Sequence, residues 1–127
     1  MISIKEVTKM TGISASALRY YESEGLLPYV KRDENGKRLY DNEDIEWVHF
    51  ITALRATGMP IVQIQKYVHL FKEGDGTISE RKGMMIDHKK EIENKIKDLY
   101  HNMDKINYKL AFYDILEAQL NNTSIKI

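Results

Sequence analysis

Ile4, Val7 and Met10 recur about one helical turn apart, behind a Ser3 that stands three residues before Glu6. Ser at the N-cap with Glu three positions later is a capping box, in which each side chain satisfies a free backbone N–H. Thr11-Gly12 breaks this helix. Ser14 caps a second one, Ala15 to about Glu24, which Gly25 and Pro28 end. Ala17, Leu18 and Tyr21 share one face of it and can pack onto Val7 and Met10. Ser16, Arg19, Tyr20 and Ser23 then point outward. Two short helices joined by a Gly-containing turn predict a helix-turn-helix.

The pattern changes at residues 29–40. Asp33-Glu34-Asn35-Gly36 signals a tight turn, because Asn-Gly readily takes positive φ. Tyr29-Val30 and Leu39-Tyr40 can pair as short strands on either side of it. Helical periodicity then resumes. Asp41 or Asn42 caps a third helix with the stripe Trp47, Phe50/Ile51, Leu54, ended by Gly58. Pro60 suits the first position of a fourth, where its missing N–H costs nothing, and Ile61, Ile64, Val68 and Phe71 form its apolar face. Glu73-Gly74-Asp75-Gly76 reads as a loop. Thr77-Ile-Ser-Glu80 offers a second capping box, and a long helix follows to about Leu120.

Along that helix the apolar positions are Met85, Ile92, Ile96, Leu99, Met103, Ile106, Leu110 and Tyr113. From Ile92 onward the steps are 4, 3, 4, 3, 4, 3, the alternation of a heptad seam, interrupted upstream by Lys89. At ~1.5 Å per residue, forty residues reach ~60 Å. A helix of that length cannot bury its seam on a domain of some seventy-five residues, so the seam calls for a second copy of the chain. Residues 121–127 read as a flexible tail.

Composition narrows the possibilities. The chain has 127 residues, room for one compact domain plus an extended element. It has no cysteine, which excludes disulfides, thiolate metal sites, iron–sulfur ligation and thiol redox sensing. No signal peptide and no membrane span are expected, which suggests a cytoplasmic protein. Nineteen basic and nineteen acidic residues cancel, so net charge gives no support to nucleic-acid binding. Residues 1–40 carry a surplus of only two positive charges. Any case for DNA must rest on where the basic groups sit.

They sit in two places. The small residues Ser14, Ala15 and Ser16 at the start of the second helix let a backbone approach a groove. An outward Arg19 can fork onto a guanine edge or a phosphate, and Tyr20 can hold a phosphate. An ordinary surface helix with an Arg–Glu pair would look the same. The second place is the hairpin, where Lys31, Arg32, Lys37 and Arg38 cluster between Tyr29 and Tyr40. Such a hairpin could grip phosphates, or simply be a solvated loop partly neutralised by Asp33 and Glu34. A helix-turn-helix followed directly by a basic hairpin is more specific than either alone.

Other features point to chemistry less well. His49, His69, His88 and His101 form no close pair, so no metal is expected, and His88 suits interface packing beside the seam. Met84-Met85 suits core filling better than soft-metal binding. Trp47, Phe50, Tyr67 and Phe71 could line an effector pocket beside the fourth helix, with core packing as the simpler role. No nucleophile–base pair, glycine-rich phosphate loop or paired carboxylate stands out, so neither an enzyme nor a cofactor is expected.

Over nearly its whole length the chain resembles the MerR family of bacterial transcription regulators. The likeness lies in Ser3-Ile-Lys-Glu-Val7, Thr11-Gly-Ile-Ser14, Leu18-Arg-Tyr-Tyr-Glu22, Gly25-Leu-Leu-Pro28, Arg32 through Arg38-Leu-Tyr40, Asp44-Ile45 and Leu54-Arg-Ala-Thr-Gly-Met59. It implies a mainly α fold: an N-terminal winged helix-turn-helix, a helical linker, and a long C-terminal dimerisation helix that pairs with its twin as an antiparallel coiled coil. It implies a DNA-binding domain at 1–72 with a wing at about 29–40, and a coiled coil at 77–120. Ser16, Arg19, Tyr20 and Tyr21 take the recognition-helix positions, and Arg32, Arg38 and Tyr40 the backbone-holding wing positions. The implied partners are double-stranded promoter DNA carrying an inverted repeat, a second copy of the chain, RNA polymerase acting indirectly at the promoter, and a small-molecule effector. Effector binding would offset the cost of bending and untwisting the duplex. Without cysteine the metal-, superoxide- and thiol-based sensing of some relatives does not apply. The general look is closest to short members tied to aldehyde, electrophile or general stress.

Two other readings fit parts of the pattern. An excisionase-like architectural DNA binder shares the winged fold, but usually lacks a long dimer helix. A helical interaction module that never meets DNA suits the zero net charge. Placing a charge in the seam tests the dimer directly: Leu99→Glu is expected to sediment as a single subunit where the parent sediments as two.

Overall fold

The computed structural model describes residues 1–125, with side chains through residue 122. It is mainly helical. In chain order the elements are β1 (Ile2–Ser3), α1 (Ile4–Thr11), α2 (Ala15–Ser23), β2 (Lys31–Arg32), β3 (Arg38–Tyr40), α3 (Asn42–Ala56), α4 (Ile61–Glu73), a 3₁₀ turn over Asp75–Thr77, and α5 (Ile78–Ile125). Two compact units divide within α5, the first being Met1–Ile86 and the second beginning at Asp87.

Local signals set most of the boundaries in the first unit. Ser3 caps α1 by accepting from the Glu6 N–H at 3.3 Å. The return arm differs from a full capping box: the Glu6 carboxylate meets the Ser3 hydroxyl at 3.5 Å. Ser14 caps α2 by accepting from the Ala17 N–H at 3.0 Å. The far end of α2 closes with two reversed bonds, Leu26 N–H to Tyr21 C=O and Gly25 N–H to Glu22 C=O. That closure needs a left-handed residue, and Gly25 supplies φ +73°. Asp41 and Asp44 form a reciprocal box at the start of α3, each carboxylate accepting from the other's backbone N–H. The Asp44 N–H holds the Asp41 carboxyl below the usual carboxylate range, whereas burial pushes Asp44 above it.

Side chains from α1, α2, β3, α3, α4 and the loops between them meet in one core: Val7, Leu18, Tyr21, Leu26, Leu27, Tyr40, Trp47, Val48, Ile51, Leu54, Met59, Ile64 and Val68. Burying a Leu- or Ile-sized side chain contributes about 1.5–3 kcal/mol, so the core, rather than the short helices' own propensities, holds α1 and α2 in place.

Several expectations are corrected. β1 adds an edge strand, giving the order β1-β3-β2 with both pairings antiparallel. The hairpin pairs Lys31 with Leu39 and Arg32 with Arg38, so Tyr29-Val30 lies outside it. Its turn is not an Asn-Gly turn with both residues at positive φ. The Gly36 N–H bonds the Asp33 C=O and the Asp33 N–H bonds the Lys37 C=O, with only Gly36 left-handed. This is a type I turn closed by a glycine bulge. The Asp33 carboxylate fixes it by accepting from the Asn35 and Lys37 N–H groups, both at 2.9 Å. Met10 is exposed rather than packed on α2. Pro60 is the N-cap of α4, one position earlier than expected.

The long helix also starts and ends differently. Thr77 caps nothing. Its hydroxyl donates to the Leu70 and Gly74 carbonyls and accepts from Arg81 Nε at 3.0 Å, because the chain enters α5 through the 3₁₀ turn. α5 runs 48 residues, past the expected end at Leu120 to Ile125. Of the expected tail, only 126–127 lie outside the described residues.

Leu18 is fully buried at the centre of the α2 contact. Leu18→Ala is expected to destabilise the protein by about 2–5 kcal/mol. Chemical denaturation of parent and variant at equal protein concentration measures it.

Candidate nucleic-acid interface

Burial of Leu18 and Tyr21 fixes the roll of α2, and the opposite face is what remains for a ligand. Ser16 and Arg19 are exposed there, Tyr20 is 45% exposed, and Ala15 is half-buried. Ser14 is exposed, but its hydroxyl oxygen already accepts the helix's cap bond. Gln65 of α4 braces the other end of α2. Its amide donates to the Glu24 C=O at 2.9 Å and lies 3.3 Å from the Glu24 carboxylate.

The hairpin is joined to α2 by one carboxylate. Glu22 Oε1 accepts from Arg32 at 3.0 Å, and Glu22 Oε2 accepts from Arg38 Nε. Arg32 also donates to the Gly36 C=O at 2.9 Å. A single side chain at the end of α2 therefore holds an arginine from each strand of the wing. The two pairs are not equivalent. Arg32 is half exposed, where ion pairs contribute ~0–1 kcal/mol. Arg38 is three-quarters buried against an equally sheltered Glu22, where a charged hydrogen bond contributes ~1.5–3 kcal/mol. Arg38 is thus the main tie, and Arg32, Lys31 and Lys37 give the hairpin its exposed positive charge.

Two residues expected on the DNA-facing surface lie elsewhere. Tyr21 is 9% exposed and Tyr40 is wholly buried, because their rings fill the core where α2, β3 and α3 meet. Burial pushes the Tyr40 hydroxyl above the ordinary tyrosine range, and the Glu22 carboxylate adds to the shift. No local sequence signal marks Glu22 or Gln65 for these roles. Their partners lie ten or more residues away, at distances that no local pattern specifies.

On α5, Ile92 is half-buried, while Ile96, Leu99, Met103, Ile106, Leu110 and Tyr113 are exposed. Met85, expected to open the seam, is half-buried and packs against the core of the first unit. His88 is buried, with Nδ1 3.9 Å from Glu91.

These elements match known families. Residues 2–70 fit the model of the MerR HTH family regulatory proteins. The chain belongs to the MerR family. Residues 45–108 of this MerR chain also fit the model described as MerR, DNA binding. The HTH-type transcriptional regulator AdhR of Bacillus subtilis is 43% identical over 91 residues, which cover 72% of this chain and 65% of AdhR, just under two thirds of that relative. Among solved structures, a MerR family transcriptional regulator from Listeria monocytogenes matches with a TM-score of 0.92 at 31% identity, covering 99% of this chain and 97% of that one. HiNmlR, a MerR family regulator lacking the sensor domain and bound to promoter DNA, matches with a TM-score of 0.82 at 36% identity, covering 91% and 92%.

If Glu22 ties the wing down in this MerR fold, its removal should loosen the hairpin selectively. Glu22→Ala is expected to speed amide hydrogen exchange across residues 31–40 while leaving α3 and α4 protected. Exchange measured by mass spectrometry on parent and variant checks it.

Proposed function

We propose that this chain regulates transcription as a homodimer, binding inverted-repeat promoter DNA and distorting it in response to a small-molecule or stress signal. The observation that carries the reading is the pairing of an outward Ser16–Arg19–Tyr20 face with a basic hairpin clasped to the same helix by Glu22. A helix placed this way can enter a major groove while the hairpin reaches the adjacent backbone. Binding of promoter DNA by the related HiNmlR supports it. Zero net charge is no obstacle, since the basic groups that matter are concentrated on the wing and α2.

In this reading residues 1–72 are the DNA-binding domain, with Ser14, Ala15, Ser16, Arg19 and Tyr20 on the groove side and Lys31, Arg32, Lys37 and Arg38 on phosphates. Residues 77–120 are the dimerising part. The exposed apolar row from Ile96 to Tyr113 supports a second copy as its cover, because water-facing Leu and Ile at heptad spacing are stable only when paired. Two reading heads then meet two half-sites of one duplex. RNA polymerase would respond to the altered promoter rather than to the protein alone. The site of action would be the bacterial cytoplasm. No described helix is long and apolar enough to cross a membrane.

Binding of the full chain to an inverted-repeat duplex across a salt series tests the proposal. Affinity is expected to fall steeply with salt, and salt-independent or absent binding refutes it. Arg19→Ala is expected to weaken the specific duplex by ~1–3 kcal/mol relative to a scrambled one, read by fluorescence anisotropy. Lys37→Ala is expected to weaken both duplexes alike and to lower the slope of log K against log salt by about one. Lys37 is exposed, and no ion pair to it is found among the described residues, so this change leaves the Glu22 clasp in place.

A further inference from the structure

On the first unit, α3, α4 and the start of α5 frame an open hollow of about 290 Å³ lined by Glu43, Glu46, Trp47, Phe50, Tyr67, Phe71 and Arg81. Its four rings form a connected group, two pairs edge-to-face and two tilted, with distances given between ring centres. Trp47 stands 4.8 Å from Phe71, 6.2 Å from Phe50 and 6.1 Å from Tyr67, and Phe50 stands 5.6 Å from Tyr67. Ring faces carry partial negative charge and attract cations. The cavity already shows this, since the Arg81 guanidinium lies over Phe71 at 5.3 Å from the ring centre.

The carboxylates decide the sign of charge that the hollow favours. Glu43 and Glu46 are exposed at the mouth, and among the described residues neither forms an ion pair. Arg81 is the one basic residue in that lining, and it makes no direct bond to either glutamate among the described residues. Its donors go to the Thr77 hydroxyl at 3.0 Å and the Gly74 carbonyl at 3.3 Å. Two carboxylates against one committed guanidinium leave the cavity one negative charge in surplus, over a floor of rings. An anion is repelled by this arrangement, and a neutral apolar molecule gains nothing from the carboxylates.

We infer that this cavity is a binding site for a small aromatic or quaternary organic cation, whose charge is shared between the ring faces and Glu43 and Glu46. The volume lies at the small end for ligand cavities, enough for one ring and an ammonium group rather than a polycyclic molecule. As the entry point of a signal the site rests on the regulator reading. As a binding site it stands on the free protein alone. Arg81 links it to the α4–α5 junction through Gly74 and Thr77, so an occupant bears on the segment from which α5 begins.

Trp47 is the only tryptophan in the chain, which gives the site its own reporter. The full-length protein, free of DNA, is titrated with benzyltrimethylammonium while Trp47 emission is followed. Neopentylbenzene, the uncharged molecule of the same shape, is the comparison. The expected result is a saturable change with the cation, none at equal concentration with the neutral molecule, and an affinity about tenfold weaker in the Glu43→Gln/Glu46→Gln double variant. Both glutamates are exposed, so the variant keeps the core, and its thermal unfolding serves as the check. No saturable change, as would follow if a second copy of the chain covered the cavity, overturns the proposal. So does an equal response to the neutral molecule, or an affinity indifferent to the two Gln substitutions. Because no DNA is present, failure here leaves the DNA-binding reading standing, and the converse also holds.

Discussion

One carboxylate organises the candidate reading head. Glu22 stands in the last turn of α2 and accepts from Arg32 on one strand of the hairpin and Arg38 on the other. A two-stranded hairpin is marginal by itself in water, and this one has only two residues in one strand and three in the other. It holds its position because β1 pairs along β3, Tyr40 roots β3 in the core, and Glu22 fastens its basic side chains to α2. The same bonds settle an electrostatic conflict. Arginines packed beside one another repel, and a shared carboxylate between them lets both stay close.

That constraint makes sense of the neutral net charge. Binding to a polyanion depends on the local field rather than the total. Here the acidic residues of the N-terminal region are used internally. Asp33 fixes the turn, Glu22 fastens the wing, Asp41 and Asp44 close the start of α3, and Glu24 meets Gln65. Lys31, Lys37 and Arg19 remain facing solvent. These five of the nineteen acidic side chains are engaged in bonds within the first unit rather than set against the surface proposed to bind DNA.

The rest of the molecule shows two contrasting treatments of apolar surface. In the first unit it is buried around Leu18, Ile51 and Ile64. Along α5 it faces outward in a heptad row. The aromatic group around Trp47 belongs to neither pattern, being an apolar floor with unneutralised carboxylates at its rim.

The elements that could be read from the chain were those whose signals are local. Ser3, Ser14 and Asp41 cap helices through bonds spanning three residues, Gly25 and Gly58 end them, and the 4-3 spacing after Ile92 sets the exposed row of α5. The inward Leu18 and outward Arg19 followed from helical periodicity alone. Tertiary structure decided what periodicity cannot encode. It placed β1 beside β3, shifted the hairpin register off Tyr29-Val30, and drew Tyr21 and Tyr40 into the core. It turned Met85 onto its own unit and made Thr77 a donor to the preceding carbonyls rather than a cap. The physical reason is the same in each case: a capping bond or a helical face is fixed by neighbours three or four residues away. Whether a tyrosine faces solvent, or which carboxylate an arginine finds, depends on elements brought together only when the core closes.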